Sequence, residues 1–110
     1  MDDWQLIETF AREHSEAAFR TLVERHGGLV QASALRQVSD VQLAQDVTQA
    51  VFVLLARKAG RLRRGTMLPG WLFQTTRFVA RRALRTEQRR QRREQEAFLM
   101  QQLTSTTDTW

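Results

Sequence analysis

Three groups of residues have types and spacing suited to recognition chemistry. Asp46, Gln49 and Val53 follow one another at three and four residues. On a helix that spacing places a carboxylate, an amide and an apolar group on one face. Such a face suits docking against a basic, amphipathic partner helix. Arg61, Arg63 and Arg64 lie between Gly60 and Gly70, where a loop is expected. Arg77, Arg81, Arg85 and Arg92 fall within about 80° of one another on a helical wheel of ~100° per residue. One such row of guanidinium groups can follow a phosphate backbone. Each group also has a plainer reading: a solvated helix face, a mobile loop, or a charge run that keeps a helix end soluble.

Bond-making chemistry finds no support in the sequence. There is no Cys, so disulfides, thiolate zinc sites and a Cys nucleophile are excluded. The two histidines, His14 and His26, have no carboxylate at ligand spacing. Gly65 and Gly70 have the spacing of a phosphate loop but lack the Lys-Ser/Thr that must follow it. No enzyme activity, metal or cofactor is expected.

Charge divides the chain into three parts. Residues 1–56 carry 4 Arg and 8 acids, residues 57–93 carry 12 Arg and 1 Lys against the single acid Glu87, and residues 94–110 carry three acids. One third is strongly basic and the rest mildly acidic, which suggests one face for a polyanion and another for a different partner. At 110 residues there is room for one small domain. No apolar run approaches the ~20 residues of a membrane span. The acidic start MDDWQLIETF does not read as a secretory leader. A soluble, cytoplasmic domain without a membrane partner is the expectation.

The elements that must position these residues read as helix nearly throughout, so the fold class is all-α with about four main helices. The first is expected over about Trp4 to Glu13, ending at His14. Ser15 is a candidate N-cap for the second, with Ala18, Phe19, Leu22 and Val23 on its apolar stripe. Gly27 and Gly28 predict a kink or break before the pattern resumes at Leu29 and Val30. Ser39 and Gln42 have capping-box spacing and open a third helix, about Asp40 to Ala59. Its buried side holds Leu43, Ala44, Val47, Val51, Leu54 and Leu55, with Phe52 at the border and Asp46, Gln49 and Val53 opposite. A fourth helix runs from about Gly70 into the 93–96 region. Trp71 belongs to the core, since aromatics at helical spacing usually pack. The Thr/Ser-rich stretch from Leu103 to Thr109 reads as a linker or frayed end, and Trp110 as the start of a segment that packs only in a longer chain.

Four pieces in register carry a family resemblance. Asp46-Val47-Thr48-Gln49-Ala50-Val51-Phe52, followed by Leu54 and Leu55, resembles the D-x-x-Q-x-x-F signature of bacterial RNA polymerase sigma factors, best matched in the extracytoplasmic-function (ECF) group. Ala18 to His26 resembles the first segment of that family's region 2. Pro69-Gly70-Trp71-Leu72-Phe73 resembles the opening of its DNA-facing helix, and Thr76-Arg77, Arg85 and Arg89 to Glu94 resemble the basic continuation. The chain departs from the pattern where many ECF members carry Asn and Asp, with Phe78 and Arg82 in their place, and Gln45 stands where an acid is usual.

The resemblance implies a region 2 domain over residues 1–96. Residues 97–110 would begin a linker toward a C-terminal helix-turn-helix domain. It implies a transcription initiation factor that binds RNA polymerase core and recognises and opens the promoter −10 element. Asp46, Gln49 and Val53 then face the clamp helices of the β′ subunit. Arg61, Arg63, Arg64, Arg77, Arg81 and Arg85 face DNA, and the 60–70 loop captures an unstacked base of the −10 non-template strand. Leu62, Met67 and Leu68 are the candidate lining of its pocket. Where primary sigma factors carry melting aromatics, this chain reads Gln74-Thr75-Thr76, which suggests weak intrinsic melting. Whether an anti-sigma factor also binds is left open by the sequence. The rival readings are a nonspecific basic helical nucleic-acid binder or adaptor, and a module whose basic helix docks on an acidic protein or membrane surface.

Overall fold

In the computed structural model, which describes residues 1–108, the chain forms four α-helices and one 3-10 turn. They are α1 (Asp3–Glu13), α2 (Glu16–Val38), α3 (Val41–Lys58) and α4 (Leu68–Asp108), with the turn at Ala59–Arg61.

Local chemistry sets the boundaries of the first helices. Asp2 Oδ1 accepts from the Gln5 amide, and Gln5 Oε1 accepts from the Asp2 amide, so a reciprocal box opens α1. His14, in the left-handed region at φ 53°, closes it. Ser15 Oγ accepts from the Ala18 amide and caps α2, as the sequence indicates.

α2 differs from expectation because it passes through Gly27 and Gly28 without a break. Two glycines cost about 2 kcal/mol of helix propensity relative to Ala. Leu22 on one side and Val30 and Ala34 on the other are all buried. Burying a Leu or Val side chain contributes roughly 1.5–3 kcal/mol, so packing outweighs the local penalty.

The start of α3 also differs. Ser39 is not its cap. Ser39 sits at φ 57° and closes α2, its amide donating to the Leu35 carbonyl. Asp40 caps α3 instead, accepting from the Leu43 amide at 2.8 Å. A carboxylate at an N-cap also complements the helix dipole.

α2 lies at the centre and packs against the other three helices, and α3 pairs with α4. Ile7, Leu22, Ala34, Ala44, Val47, Val51, Leu55, Leu72 and Ala80 meet in one core. Trp71 is half-buried against it, and Phe52 is buried beside Phe19. Phe73 and Phe78, by contrast, are 52% and 56% exposed. Both lie outside the buried i, i+4 series of Leu68, Leu72, Thr76 and Ala80.

α4 runs past the expected end near residues 93–96 and continues through Asp108. Ala97 to Leu103 are, apart from Phe98, good helix formers, and neither Gly nor Pro interrupts them. The molecule is therefore elongated, 72 × 25 × 21 Å. Trp110 and Thr109 lie outside the described residues. No helix among the described residues is long and apolar enough to cross a membrane.

Candidate functional site

α3 buries Val47, Val51 and Leu55 and turns Asp46, Gln49 and Val53 to the surface, as the sequence pattern requires. The Asp46 carboxylate accepts a 3.2 Å hydrogen bond from Gln42, one turn earlier, and is otherwise open. Val53 is 45% exposed, which is a large fraction for an apolar side chain in mid-helix.

The three residues line one wall of a groove of about 610 Å³ between α3 and α4. Ala50, Leu54, Val79 and Ala83 line its apolar parts, and Phe78 and Arg82 belong to the α4 wall. The Arg82 guanidinium carbon lies 5.7 Å from the centre of the Phe78 ring, a cation–π contact between successive turns. The family resemblance sets Phe78 and Arg82 on the DNA-facing helix and does not place them in this groove. A positional signal was present. Phe78 stands two residues from both Thr76 and Ala80, about 200° around the helix from the buried stripe.

The loop before α4 is short and partly ordered by its own hydrogen bonds. Gly65 adopts φ +90°, a conformation that glycine tolerates best. The amide and hydroxyl of Thr66 both donate to the Arg63 carbonyl, which ties a tight turn. Arg61, Arg63 and Arg64 are exposed around it. The expected pocket of Leu62, Met67 and Leu68 does not form. Leu68 is buried as the first residue of α4, Leu62 packs on the core, and Met67 is 75% exposed. Leu68 and Leu62 serve the hydrophobic core, where burial stabilises the start of α4.

A cavity of about 170 Å³ lies next to this loop, between α2 and the first turns of α4. Leu29, Val30, Leu72 and Phe73 supply apolar walls, and His26, Ser33, Arg36 and Thr76 supply polar atoms. An apolar cavity of ~150 Å³ accepts a benzene ring, so the volume suits one flat ring. Sequence periodicity did not point to it, because its walls come from helices more than 30 residues apart.

Arg77, Arg81 and Arg85 are exposed on the outer face of α4. Arg77 follows Phe73 by one turn, so the row begins beside the cavity. Arg85 also borders a concavity with Phe78, Arg82 and Arg89. Among the described residues none of Arg61, Arg63, Arg64, Arg77, Arg81, Arg85 or Arg92 is paired with a carboxylate. Arg90 differs, since its guanidinium is held by Glu87 and Glu94. The hydrogen bond from Arg90 holds the Glu87 carboxyl below its ordinary value. A row of unpaired guanidinium groups keeps its donors available to an incoming polyanion.

Residues 22–90 match the family model described as Sigma-70 region 2. The chain belongs to that family. It is also 38% identical, over 74 residues, to the RNA polymerase sigma factor CarQ of Myxococcus xanthus, an alignment covering 67% of this chain and 42% of that relative. The chain thus spans less than half the length of the curated relative it matches. No solved structure gives a significant match. The matched span takes in most of α2, all of α3 and α4 as far as Arg90, and so includes every candidate site residue except Arg92.

Proposed function

We propose that this chain is the part of an ECF-type sigma factor that docks on RNA polymerase core and engages the promoter −10 element. The supporting observation is the division of its surface. An open carboxylate, amide and apolar group on α3 stand on one groove, while unpaired arginines follow the outer face of α4 beside a ring-sized cavity. The first suits an amphipathic partner helix, and the β′ clamp helices of polymerase core are the partner. The second suits the −10 non-template strand.

On this reading Arg77, Arg81 and Arg85 hold successive phosphates. Arg61, Arg63 and Arg64 guide the strand at the loop, and an unstacked base enters the cavity between Phe73 and Leu29. An aromatic wall with a few polar groups is what single-strand recognition requires. The domain recognises and positions DNA without making or breaking bonds, and it acts in the cytoplasm. Residues 1–96 serve as the domain, and the distal part of α4 begins the connection toward a helix-turn-helix domain.

The test is capture of core polymerase by this chain. Asp46→Ala and Gln49→Ala are expected to weaken capture while leaving the helical circular dichroism spectrum and the melting temperature unchanged, because both side chains are exposed. Capture unaffected by either substitution, with nucleic-acid binding retained, would instead favour a nonspecific nucleic-acid binder.

A further inference from the structure

We infer that Phe78 and Arg82 belong to the polymerase-docking surface, and that the α3–α4 groove seats an amphipathic core helix in one direction. The inference rests on the reading of Asp46 and Gln49 as a polymerase contact. Position in the sequence assigns these two α4 residues to the DNA-facing helix. Their surroundings do not.

Three observations carry the inference. Phe78 and Arg82 line the same groove as Asp46, Gln49 and Val53, so a helix laid against the α3 face meets the α4 wall as well. The parts between are apolar, with Ala50, Leu54, Val79 and Ala83, a lining that accepts side chains rather than phosphates. Phe78 at 56% exposure and Val53 at 45% are the large apolar groups left open at the groove. An exposed aromatic beside an apolar trough has the character of an interface anchor.

Charge gives the direction. Asp46 and Arg57 both line the groove and lie 11 residues apart on α3, about 16 Å at 1.5 Å per residue. Arg82, on the facing wall, lies nearer the Asp46 end, since Asp46 also borders Leu84 and Glu87 of α4. The complementary helix carries a basic residue over Asp46 and an acidic residue, about three turns away, near Arg57. A helix laid in the reverse direction brings like charges together at both ends, which selects against it.

The occupant is a helix of the core enzyme rather than DNA. One side of the Phe78 ring is already taken by Arg82, and Arg77, Arg81 and Arg85 do not line the groove, although Arg85 borders a neighbouring concavity with Phe78. Continuity with the Asp46 surface completes the assignment.

The experiment measures affinity for RNA polymerase core without DNA for Asp46→Ala, Phe78→Ala and Arg82→Glu, with single-stranded DNA binding measured in parallel. Phe78 and Arg82 are exposed, so circular dichroism should show both variants folded. Loss of core affinity by about tenfold or more in Phe78→Ala and Arg82→Glu, alongside loss in Asp46→Ala, supports the inference. Loss in Asp46→Ala with both α4 variants within about twofold of the parent overturns it and leaves the polymerase reading standing. Loss with Arg82→Glu alone also overturns it, since the apolar anchor then has no part. Full affinity in Phe78→Ala with weakened single-stranded DNA binding assigns the ring to nucleic acid and overturns it too. Full affinity in all three removes the polymerase reading, and this inference with it.

Discussion

The His26 imidazole places Nε2 3.0 Å from Oδ1 of Asp3, joining the first turn of α1 to the middle of α2 at the wall of the ring-sized cavity. Arg25 reaches the same oxygen at 3.2 Å and also donates to the Met1 carbonyl. α1 is thereby fixed beside a proposed binding surface by a few polar contacts as well as by the packing of Leu6 and Ile7.

That contact makes part of the stability depend on pH. Burial raises the Asp3 carboxyl, but the hydrogen bonds and charges of His26 and Arg25 outweigh it and hold the group below its ordinary 3.8. A folded value below the unfolded one means the stabilisation is present above that ordinary value and lost as pH falls through the folded value. Asp3 is partly exposed, so solvent screening limits the effect to about 0.5–1 kcal/mol. Asp3→Asn is expected to lower stability by that amount near neutral pH, with the gap to the parent closing in acid below 3.8. Urea unfolding at neutral pH and in acid checks this. A gap of constant size would assign the loss to packing.

Gly28 is expected to accept Ala with a gain in stability. A Cβ there meets nothing within 4 Å, and at Gly27 it meets only Val23 Cγ1 at 3.8 Å, an ordinary contact. Each substitution should stabilise by up to about 1 kcal/mol, since an interior helical glycine loses that much relative to Ala. Thermal denaturation of Gly28→Ala checks it, and a lower melting temperature would contradict a continuous α2.

The junction between α2 and α3 offers a sharper comparison. Asp40→Ala should cost about 1 kcal/mol by removing the cap on Leu43. Ser39→Gly should be neutral or stabilising, because Ser39 occupies the left-handed region that glycine enters freely. A capping box beginning at Ser39 would give the reverse order.

The same junction shows what the sequence makes legible. The helical period of α3 placed Val47, Val51 and Leu55 inside and Asp46, Gln49 and Val53 outside, because burial on one face leaves a strong periodic signal. Ser39 and Asp40 are both good caps, and residue type alone does not say which takes the left-handed position. The course of α2 through Gly27 and Gly28 depends on Leu22 and Val30 finding partners on other helices, and no local rule contains that. Phe78 was visible as a departure from a family pattern, yet its groove exists only once α3 lies alongside α4. The cavity beside Phe73 is hidden in the sequence for the same reason.

Salt dependence separates the arginines that are free from the one that is engaged. If Arg77 holds a phosphate, Arg77→Gln should reduce the slope of log affinity against log salt by about 0.7 on single strands or 0.9 on duplex. Arg90→Gln removes the same formal charge, but its guanidinium is already held by Glu87 and Glu94, so the slope should stay close to the parent value. Anisotropy titrations on a −10-type strand at several salt concentrations compare the two. Equal slopes for both variants would show that net charge, and not the row on α4, governs binding.

The distal part of α4 should unfold before the rest. Residues 89–105 are all exposed, including Phe98, Leu99 and Met100, so helix there buries no face against the packed part. Isolated helices shorter than ~12–15 residues are marginal in water, which leaves residues 97–108 dependent on continuity with the rest of α4. On heating, the parent is expected to lose part of its helical signal gradually, ahead of one cooperative transition. A chain ending at Glu96 should lack the gradual phase and keep the transition within about 2–4 °C, the shift expected for changes confined to exposed positions. A larger fall in the melting temperature would mean that the end of α4 packs on the body of the domain. Circular dichroism at 222 nm followed with temperature distinguishes the two, and loss of the main transition itself would remove residues 1–96 as a self-sufficient folding unit.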